Sequence, residues 1–303
     1  MTDITIIGGG PAGLTAALYA KRGGASVRLI EEMFPGGQIV KTHQVDNYPG
    51  ISDGPDGYGL AARFEEHAAK EGAKVEYASV TSLNLTDDTK EITLSTGETF
   101  QSKTVILCMG ASPRPLGIPG EREYLTKGIS YCATCDGAFF RGRTTTVIGG
   151  GDTAISDALY LSALCEKVYV VHRRDKLRAS AALADAAAKT ANIEFVWNSV
   201  PEAFTGEGKL SGIRLKNTLT GEVSELKTDG AFIAVGIVPK TELVKDLVTL
   251  APNGSIETDA HMETNVKGVF AAGDIRNTPL RQIVTACADG AVAATYAIER
   301  ARS

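Results

Sequence analysis

Residues 3–31 have the sequence DITIIGGGPAGLTAALYAKRGGASVRLIE, and this stretch decides the fold. Its apolar pattern predicts a strand from Asp3 to Ile7, a helix from Leu14 to Lys21 and a second strand from Ala25 to Ile30. In the intervening Gly8–Gly13 turn, the first glycine permits a tight turn, the second admits a pyrophosphate and the third lets the helix pack on the strand. The first N–H groups of the helix would face the phosphates. We therefore predict a dinucleotide site; the alternative is a glycine-rich turn without a ligand.

The second half of the chain repeats this arrangement. A strand is predicted from Thr144 to Ile148, followed by the turn Gly149–Ala154, a helix to about Leu164 and a strand from Lys167 to Val171. Alanine replaces the third glycine, which is a variation that this turn allows. The sequence therefore predicts a second dinucleotide site.

The two units differ in the residue that follows the second strand. Glu31 lies at about the spacing, roughly 20 residues past the first glycine, where an acid accepts a ribose hydroxyl. The corresponding residue in the second unit is His172, followed by Arg173, Arg174 and then Arg178. An acid repels a 2′-phosphate, whereas guanidinium groups match its charge and geometry. We predict a plain ribose at the first site and a 2′-phosphorylated one at the second, against the alternative that these arginines are ordinary surface charge.

Between the second turn and the first lies a Cys-x-x-Cys pair, Cys132 and Cys135, followed at once by Asp136. Two thiols at this spacing can close and reopen a disulfide, so they can store two electrons. A structural zinc site would need four ligands, and a structural disulfide closing so short a loop would constrain little of the unfolded chain. The other cysteines and the histidines are scattered singly: Cys108, Cys165, Cys287, His43, His67, His172 and His261. A redox pair is the favoured interpretation, and we expect no metal site.

Length and composition set the outer limits. A chain of 303 residues suggests two domains, and 43% hydrophobic residues suffice for a substantial core. A net charge of -5 gives no basic surface for nucleic acid, and no apolar run is long enough for a membrane span. The start of the chain lacks a basic segment, so we expect no signal peptide. Five cysteines in a chain of this length favour a reducing cytoplasm over a disulfide scaffold.

The remaining segments are predicted more coarsely. Residues 33–57 are irregular and could wrap a large ligand, or form a surface loop. Linkers are expected at 109–120 and 236–240. The other predicted elements are a helix Gly57–Lys70, strands Val75–Thr81, Glu91–Ser95 and Thr99–Cys108, a helix Ala179–Thr190, a strand Ile193–Trp197, an antiparallel ribbon of Pro201–Asn217 and Glu222–Lys227, strands Ala231–Val235 and Thr264–Asp274, and a helix Arg281–Arg300.

Taken in order, these motifs make the chain resemble the low-molecular-weight thioredoxin reductase family over essentially its full length. The segments that carry the resemblance are Gly8–Gly13, Gly36-Gly37-Gln38, Cys132-Ala133-Thr134-Cys135-Asp136, Gly149–Ala154, His172-Arg173-Arg174 with Arg178, and Gly273-Asp274 with Arg281-Gln282.

The resemblance implies an α/β fold of two Rossmann-like, three-layer dinucleotide-binding domains. An NADPH domain at 116–244, carrying the cysteine pair, would be inserted into an FAD domain formed by 1–115 and 245–303. FAD would contact Gly8, Gly10, Pro11, Ala12, Gly13, Glu31, Gly36, Gly37, Gln38, Asn47, Gly273, Asp274, Arg281, Gln282 and Ile283. NADPH would contact Gly149, Gly151, Asp152, Thr153, Ala154, His172, Arg173, Arg174 and Arg178.

The resemblance also implies the activity. Electrons would pass from NADPH through FAD to the Cys132–Cys135 disulfide and on to thioredoxin or a thioredoxin-like protein. Cys135 would face the flavin, Cys132 would attack the partner's disulfide, and Asp136 would protonate the leaving thiolate. A cytoplasmic homodimer is expected, with no nucleic-acid or membrane partner.

Two other classes stay open. A flavin-dependent dithiol oxidase would use the same cysteine pair and pass electrons to oxygen, and a non-catalytic redox sensor would bind flavin without turnover. The intact set of Arg173, Arg174 and Arg178 argues against the oxidase, and also against relatives that take electrons from ferredoxin.

Overall fold

The structure is a computed structural model that describes residues 1–41, 45, 47–86 and 89–303. The helices are α1 (Pro11–Arg22), α2 (Gly57–Lys70), α3 (Ala133–Asp136), α4 (Asp152–Ser162), α5 (Ala181–Ala188) and α6 (Ile283–Arg302), with 3₁₀ helices at Gly37–Lys41 and Gly137–Phe140. The strands are β1 (Thr2–Ile7), β2 (Val27–Glu31), β3 (Val75–Tyr77), β4 (Val80–Leu85), β5 (Lys90–Leu94), β6 (Thr99–Leu107), β7 (Ala111–Pro113), β8 (Ile129–Ser130), β9 (Thr144–Ile148), β10 (Lys167–Val171), β11 (Ile193–Val196), β12 (Ser199–Glu207), β13 (Lys209–Asn217), β14 (Val223–Lys227), β15 (Gly230–Ile233), β16 (Ile237–Pro239) and β17 (Val269–Ala271).

The chain divides into two compact units. The first comprises Met1–Ser112 and Val238–Ser303, and the second comprises Pro113–Ile237. The boundaries between the units, at 112/113 and 237/238, lie three and seven residues before the 115/116 and 244/245 boundaries expected from the sequence. The second difference arises because the segment that includes Val244 is packed into the core of the first unit, where Val244 is fully buried. The two connecting segments run side by side, since β7 pairs with β16.

A mostly parallel sheet forms the centre of the first unit. Its strand order is β3-β2-β1-β6, with all these neighbours parallel. The other edge of β6 pairs in parallel with β17 near its carboxyl end and antiparallel with β5 near its start, and β4 follows β5. Parallel strands of this kind are joined by helical crossovers, which places the β1–α1 turn at the carboxyl edge of the sheet.

Alternating side chains of this sheet build two cores, because successive residues of a strand point to opposite faces. On one face, Ile6, Ile106 and Phe270 pack against α1 and α6. On the other, Val105 and Leu107 pack against the β4–β5 hairpin and residues 244–256. The unit therefore has three layers.

Helices α1 and α6 pack closely because both present small residues. A Cβ added to Gly290 in α6 would lie 2.2 Å from the Ala12 carbonyl oxygen, so only glycine fits there. Ala293, Ala294 and Ala297 continue this fully buried side of α6. The alanine-rich composition of this helix is explained by its close contact with the first nucleotide turn.

The second unit repeats the layered design. Its sheet is parallel throughout, in the order β11-β10-β9-β15-β8. Val147, Val170 and Phe232 face α3, α4 and α5 on one side. Ile148 and Ile233 face the antiparallel β12-β13-β14 sheet on the other. The α/β class with two Rossmann-like units is thus the fold that the sequence predicted.

Several predicted elements were wrong in extent. The strand predicted for 75–81 is two strands, β3 and β4. The strand predicted for 264–274 is confined to Val269–Ala271, because Thr264 and Val266 form a hydrogen-bonded turn and Gly268 has φ +75°. Helix α6 begins at Ile283 rather than at 281, since Gln282 forms a capping box with Thr285.

No helix in the described part of the chain is both long and apolar enough to cross a membrane.

Candidate active site

The first nucleotide turn is tightly constrained by its own backbone. Gly8 has φ +106°, and a Cβ there would lie 2.4 Å from the Cys108 carbonyl oxygen. A Cβ on Gly13 would lie only 1.8 Å from the Gly8 carbonyl oxygen. Real Cβ atoms do not tolerate such contacts, so both positions require glycine. The close approach of α1 to the end of β1 follows directly.

The middle glycine of this turn leaves space for a ligand. No described atom lies within 4 Å of the place where a Cβ on Gly10 would be. Gly10 is also the N-cap of α1, and no described side chain caps this helix end. Pro11 opens the helix without an N–H, and the following N–H groups add to the positive end of the helix dipole. This helix end suits a pyrophosphate.

A cavity of about 490 Å³ opens beside the turn, entirely within the first unit. This volume lies in the range of small-molecule and cofactor pockets. Most of the residues predicted to contact FAD line it: Gly8, Gly10, Pro11, Ala12, Glu31, Gly37, Gln38, Gly273, Asp274, Gln282 and Ile283.

The other four residues predicted to contact FAD do not line the cavity, but each contacts the turn or a residue of the lining. Gly13 packs on the Gly8 carbonyl, and the Gly36 N–H donates to the Gly9 carbonyl oxygen at 2.7 Å. Asn47 Nδ2 donates to Gln282 Oε1 at 3.0 Å, and Arg281 Nε donates to the Asp274 carbonyl oxygen at 3.4 Å.

Sequence reasoning missed three parts of the cavity wall. Residues 78–80 line it at the break between β3 and β4, residues 108–112 line it after β6, and residues 238–240, 242 and 243 line it at and after the second crossing. The first part follows from topology, since β3 pairs in parallel with β2 and so ends at the same edge of the sheet. The sequence prediction of one continuous strand hid this break.

Glu31 ends β2 with its carboxylate already hydrogen-bonded to the protein. Oε2 accepts the Gly9 N–H at 2.6 Å, and Oε1 accepts the Met33 N–H at 3.0 Å. A carboxylate can accept about four hydrogen bonds, so both oxygens retain capacity for ribose hydroxyls. The glutamate therefore fixes the turn and faces the cavity.

Asp274 also lines this cavity. Burial raises the pKa of its carboxyl, an effect opposed by the charge of Arg281 and reinforced by that of Asp289. Asp289 is itself tied down, because its carboxylate accepts the Gly273 N–H at 3.1 Å and pairs with Arg276 at 3.2 Å. The Gly273-Asp274 turn is thereby held against α6.

The second nucleotide turn uses the same backbone logic in the second unit. Gly149 has φ +156°, and a Cβ there would lie 2.5 Å from the Ala234 carbonyl oxygen. Gly151 is the N-cap of α4, and no described side chain caps that helix end either. Asp152 and Thr153, the first two residues of the helix, are exposed, and Ala154 is fully buried.

His172 lies beneath this turn, with its ring against Gly150. It is buried, and a Cβ on Gly150 would lie 2.3 Å from its Nδ1 atom. Its Nε2 atom is 3.2 Å from the Lys176 carbonyl oxygen. Burial, assisted by Arg173, Arg178 and Arg174, lowers the pKa of the imidazole. The histidine therefore acts as a neutral spacer.

The loop that carries the arginines is fastened to the turn by backbone hydrogen bonds. The N–H groups of Arg178 and Ala179 donate to the Gly150 carbonyl oxygen at 2.7 and 3.1 Å. The Ser180 N–H donates to Asp152 Oδ1 at 2.7 Å. Arg178 Nη2 lies 3.9 Å from the position of a Cβ on Gly151, so this guanidinium stands over the helix end.

Arg173, Arg174 and Arg178 are all exposed. None of the ion pairs formed among the described residues involves them. Three such cations beside an uncapped helix N-terminus form a strongly anion-attracting surface. They fit a dinucleotide that carries an additional phosphate.

The cysteine pair forms a disulfide at the start of α3. Cys132 is the N-cap, and its Sγ atom accepts the Cys135 N–H at 3.2 Å. Both cysteines are half-buried, and Phe139, just beyond the helix, is 51% exposed. Oδ2 of Asp136 accepts the Ser130 hydroxyl at 2.6 Å. The disulfide, the carboxyl group of Asp136 and the exposed side chain of Phe139 thus lie close together in the chain.

The structure brings these predicted residues together in two groups. The first unit gathers the turn, Glu31, Gln38, Asp274 and Gln282 around one cavity, which fits the flavin dinucleotide that the resemblance implies. The second unit holds the other turn, the arginine loop and the disulfide. Among the described residues, no cluster of side chains could hold a metal ion.

Comparisons with known proteins agree with this geometry. A family profile described as pyridine nucleotide-disulphide oxidoreductase matches residues 2–290. The chain is 46% identical over 301 residues to the thioredoxin reductase of Peptoclostridium acidaminophilum, covering 97% of this chain and 95% of that protein. It is 44% identical over 295 residues to the thioredoxin reductase of Bacillus subtilis (strain 168), covering 96% of this chain and 92% of that protein.

One solved structure resembles this chain in both fold and sequence. The crystal structure of thioredoxin reductase from Streptococcus pyogenes MGAS5005 matches with a TM-score of 0.90 and 44% identity, covering 99% of this chain and 98% of that one. At this identity and coverage, the likeness extends to the family as well as to the fold.

Proposed function

The chain belongs to the pyridine nucleotide-disulphide oxidoreductases, in the thioredoxin reductase branch, and we propose on this basis that it moves electrons from NADPH through FAD to the Cys132–Cys135 disulfide and on to a thioredoxin. The alternative of a dithiol oxidase finds no support among these relatives, which are all thioredoxin reductases by name.

The observation that carries the proposal is the half-buried Cys132–Cys135 disulfide in the unit that also holds the arginine loop. A disulfide is useful as an electron store only if it can be opened by a donor and closed by an acceptor. Exposed Arg173, Arg174 and Arg178 support a phosphorylated donor, and the cavity of the first unit supports a flavin dinucleotide.

We assign the first unit to FAD and the second to NADPH. The helix end at Gly10 and Ala12 would bind the flavin pyrophosphate, and Glu31 would accept a ribose hydroxyl. The N-terminus of α4 would bind the pyrophosphate of NADPH, with the arginines on its 2′-phosphate. When bound, FAD would supply the redox chemistry that links NADPH, a hydride donor, to the disulfide, a two-electron acceptor.

The chain's own residues supply the thiol and proton chemistry. Thiol–disulfide exchange begins when the Cys132 thiolate attacks the partner's disulfide, forming a mixed disulfide and expelling a thiolate. Asp136 donates a proton to the leaving sulfur. Cys135 then attacks Cys132, which restores the Cys132–Cys135 disulfide and releases the second partner thiol. In all, one NADPH and one proton convert a thioredoxin disulfide to a dithiol.

We also propose that the protein works in the cytoplasm as a homodimer. A dithiol that must be re-reduced in each cycle is suited to a reducing compartment, and the low cysteine content agrees with it. The homodimer rests on the family resemblance alone.

The test is anaerobic addition of NADPH or NADH, followed by oxidised thioredoxin. We expect NADPH to bleach the flavin of the wild-type protein and thioredoxin to restore its colour. Cys132→Ser or Cys135→Ser should keep the bleaching by NADPH and lose thioredoxin reduction. Cys165→Ala, at a buried cysteine outside the pair, should behave as the wild type. A protein without bound flavin, or thioredoxin reduction that survives Cys132→Ser, would overturn the proposal.

A further inference from the structure

The hydroxyl group of Ser130 links the redox cysteine to the adjacent acid. Ser130 ends β8 and is buried, with 6% of its surface exposed. Its Oγ atom lies 2.6 Å from Asp136 Oδ2 and accepts the Cys132 N–H at 3.0 Å. Nothing in the sequence pattern singled out this serine, because its partners lie two and six residues away around the turn into α3.

The direction of these hydrogen bonds follows from proton counting. A serine hydroxyl carries one proton, and the unprotonated oxygen of a carboxyl group can only accept. The Cys132 carbonyl oxygen is a second possible acceptor at 3.3 Å, but Asp136 Oδ2 at 2.6 Å is much closer. Ser130 therefore donates to Asp136 Oδ2, while a lone pair of its oxygen holds the Cys132 N–H.

This bond restricts an otherwise mobile carboxyl group. Asp136 is the last residue of the short helix α3 and is followed by Gly137, which begins the 3₁₀ helix. The Ser130 bond occupies Oδ2, so Oδ1 is the oxygen available to carry a proton. At the same time, the Ser130–Cys132 bond orients the N-cap whose Sγ atom accepts the Cys135 N–H.

We propose that Ser130 is a positioning residue, which holds the Asp136 carboxyl so that Oδ1 delivers a proton to the thiolate leaving the partner's disulfide. The proposal rests on the proposed function and deepens it. The proton moves from Oδ1 to the sulfur, Asp136 becomes a carboxylate, and water replaces the proton before the next cycle. Ser130 itself keeps its proton throughout.

The matched variants are Ser130→Ala, which removes the hydroxyl, and Ser130→Thr, which keeps it. Stopped-flow measurements on the holoenzyme separate flavin bleaching by NADPH from reoxidation by thioredoxin. We expect Ser130→Ala to slow reoxidation about tenfold, which corresponds to about 1.4 kcal/mol, without changing the bleaching rate. Ser130→Thr should retain most of the wild-type reoxidation rate.

A double-mutant cycle with Asp136→Asn tests whether Ser130 acts through Asp136. We expect Ser130→Ala to slow reoxidation less than twofold when Asp136→Asn is already present. Equal slowing in both backgrounds, or a Ser130→Thr variant as slow as Ser130→Ala, would overturn the proposal. So would an Asp136→Asn variant as fast as wild type, since no acid would then need positioning.

These outcomes are separate from failure of the proposed function. That failure would appear in the wild-type protein, as an absence of flavin reoxidation by thioredoxin. A change in the bleaching rate of Ser130→Ala as large as the change in reoxidation would assign the serine a structural role and contradict the positioning role.

Discussion

The two nucleotide turns of this chain correspond residue by residue and differ in the group placed beneath them. Gly8, Gly10 and Gly13 of the first turn correspond to Gly149, Gly151 and Ala154 of the second. Under Gly9 lies Glu31, whose carboxylate accepts the Gly9 N–H at 2.6 Å. Under Gly150 lies the buried ring of His172. The backbone of the turn provides for a pyrophosphate, and the residue after the second strand decides the charge beside it.

The residue after the second strand therefore has a different effect on the charge of each site. Glu31 places a negative charge at the turn, which suits ribose hydroxyls and disfavours a further phosphate. His172, with its lowered pKa, adds no charge and fills space. The charge in the second unit then comes from the exposed guanidinium groups that follow the histidine. A neutral spacer with adjacent cations is a site for a more highly charged nucleotide.

The largest effect is expected from removing those cations. The double variant Arg173→Ala/Arg174→Ala should lose about 3 to 4 kcal/mol of NADPH binding, because hydrogen bonds to charged groups contribute about 1.5–3 kcal/mol each. This corresponds to a preference for NADPH over NADH that falls by two to three orders of magnitude. Binding of 2′,5′-ADP and 5′-AMP, measured by calorimetry, checks the prediction without turnover.

The control for this variant is the exposed pair Arg63→Ala/Lys70→Ala on α2 of the first unit, which should leave the preference unchanged. Equal loss of 2′,5′-ADP and 5′-AMP affinity in the arginine variant would contradict the assignment of these residues to the 2′-phosphate.

Substitution at the sixth position should destabilise the first turn much more than the second. Gly13→Ala would place a Cβ 1.8 Å from the Gly8 carbonyl oxygen, so overpacking should cost about 3 kcal/mol of unfolding free energy and with it flavin binding. Ala154→Gly makes the second turn like the first and should cost only about 1 kcal/mol. Thermal unfolding checks both. A Gly13→Ala protein that melts like wild type and retains its flavin would show that the two turns are equally permissive.

The glycine turns and the strand ends could be predicted because each is specified by residues that are close together in the sequence. Gly8 and Gly149 were recognised from their neighbours, and most of the predicted FAD contacts line one cavity. The contacts of His172 and Asn47 within the chain could not be predicted, because each is formed only by folding. His172 is buried under a glycine, and Asn47 bonds Gln282, which is far away in the sequence.

Other features were missed for the same reason. Residues 78–80 reach the cavity only because β3 ends where β2 ends, which requires knowledge of strand pairing. Ser130 acquires its contacts from the way α3 turns back toward β8. The family resemblance implies that Asp136 is the proton donor, and this role stays a prediction.

The helices that follow the turns offer a pH test of the comparison. Asp157 in α4 corresponds to the fully buried Ala16 in α1. Burial raises the pKa of Asp157 from 3.8 to about 7. Between about pH 4 and pH 7 the unfolded chain releases this proton and the folded chain keeps it, so stability falls as pH rises.

Asp157→Ala should remove this dependence and raise the unfolding free energy on the order of 2 kcal/mol at pH 8, with little gain at pH 4. Urea unfolding at both pH values measures the difference. The reverse change Ala16→Asp is the matched variant and should destabilise the first unit at pH 8. A gain for Asp157→Ala that is larger at pH 4 than at pH 8 would contradict the sign.

The smallest effect is expected at Glu31. Glu31→Gln keeps one oxygen for the turn but loses the charge, and charge-assisted hydrogen bonds are about twice as strong as neutral ones. Flavin affinity, measured by reconstitution of the apoprotein, should fall about tenfold, or by about 1.4 kcal/mol. NADPH binding should not change. Unaltered flavin affinity would mean that the carboxylate serves the turn alone.

The account as a whole depends on where electrons from NADPH arrive. The direct measurement is anaerobic treatment with NADPH or NADH at the same low concentration, followed by alkylation and mass spectrometry of each cysteine. We predict that NADPH makes Cys132 and Cys135 alkylatable, that NADH does not, and that oxidised thioredoxin reverses the change. Flavin that bleaches with NADPH while both cysteines stay oxidised, or equal labelling by NADH, would contradict the account.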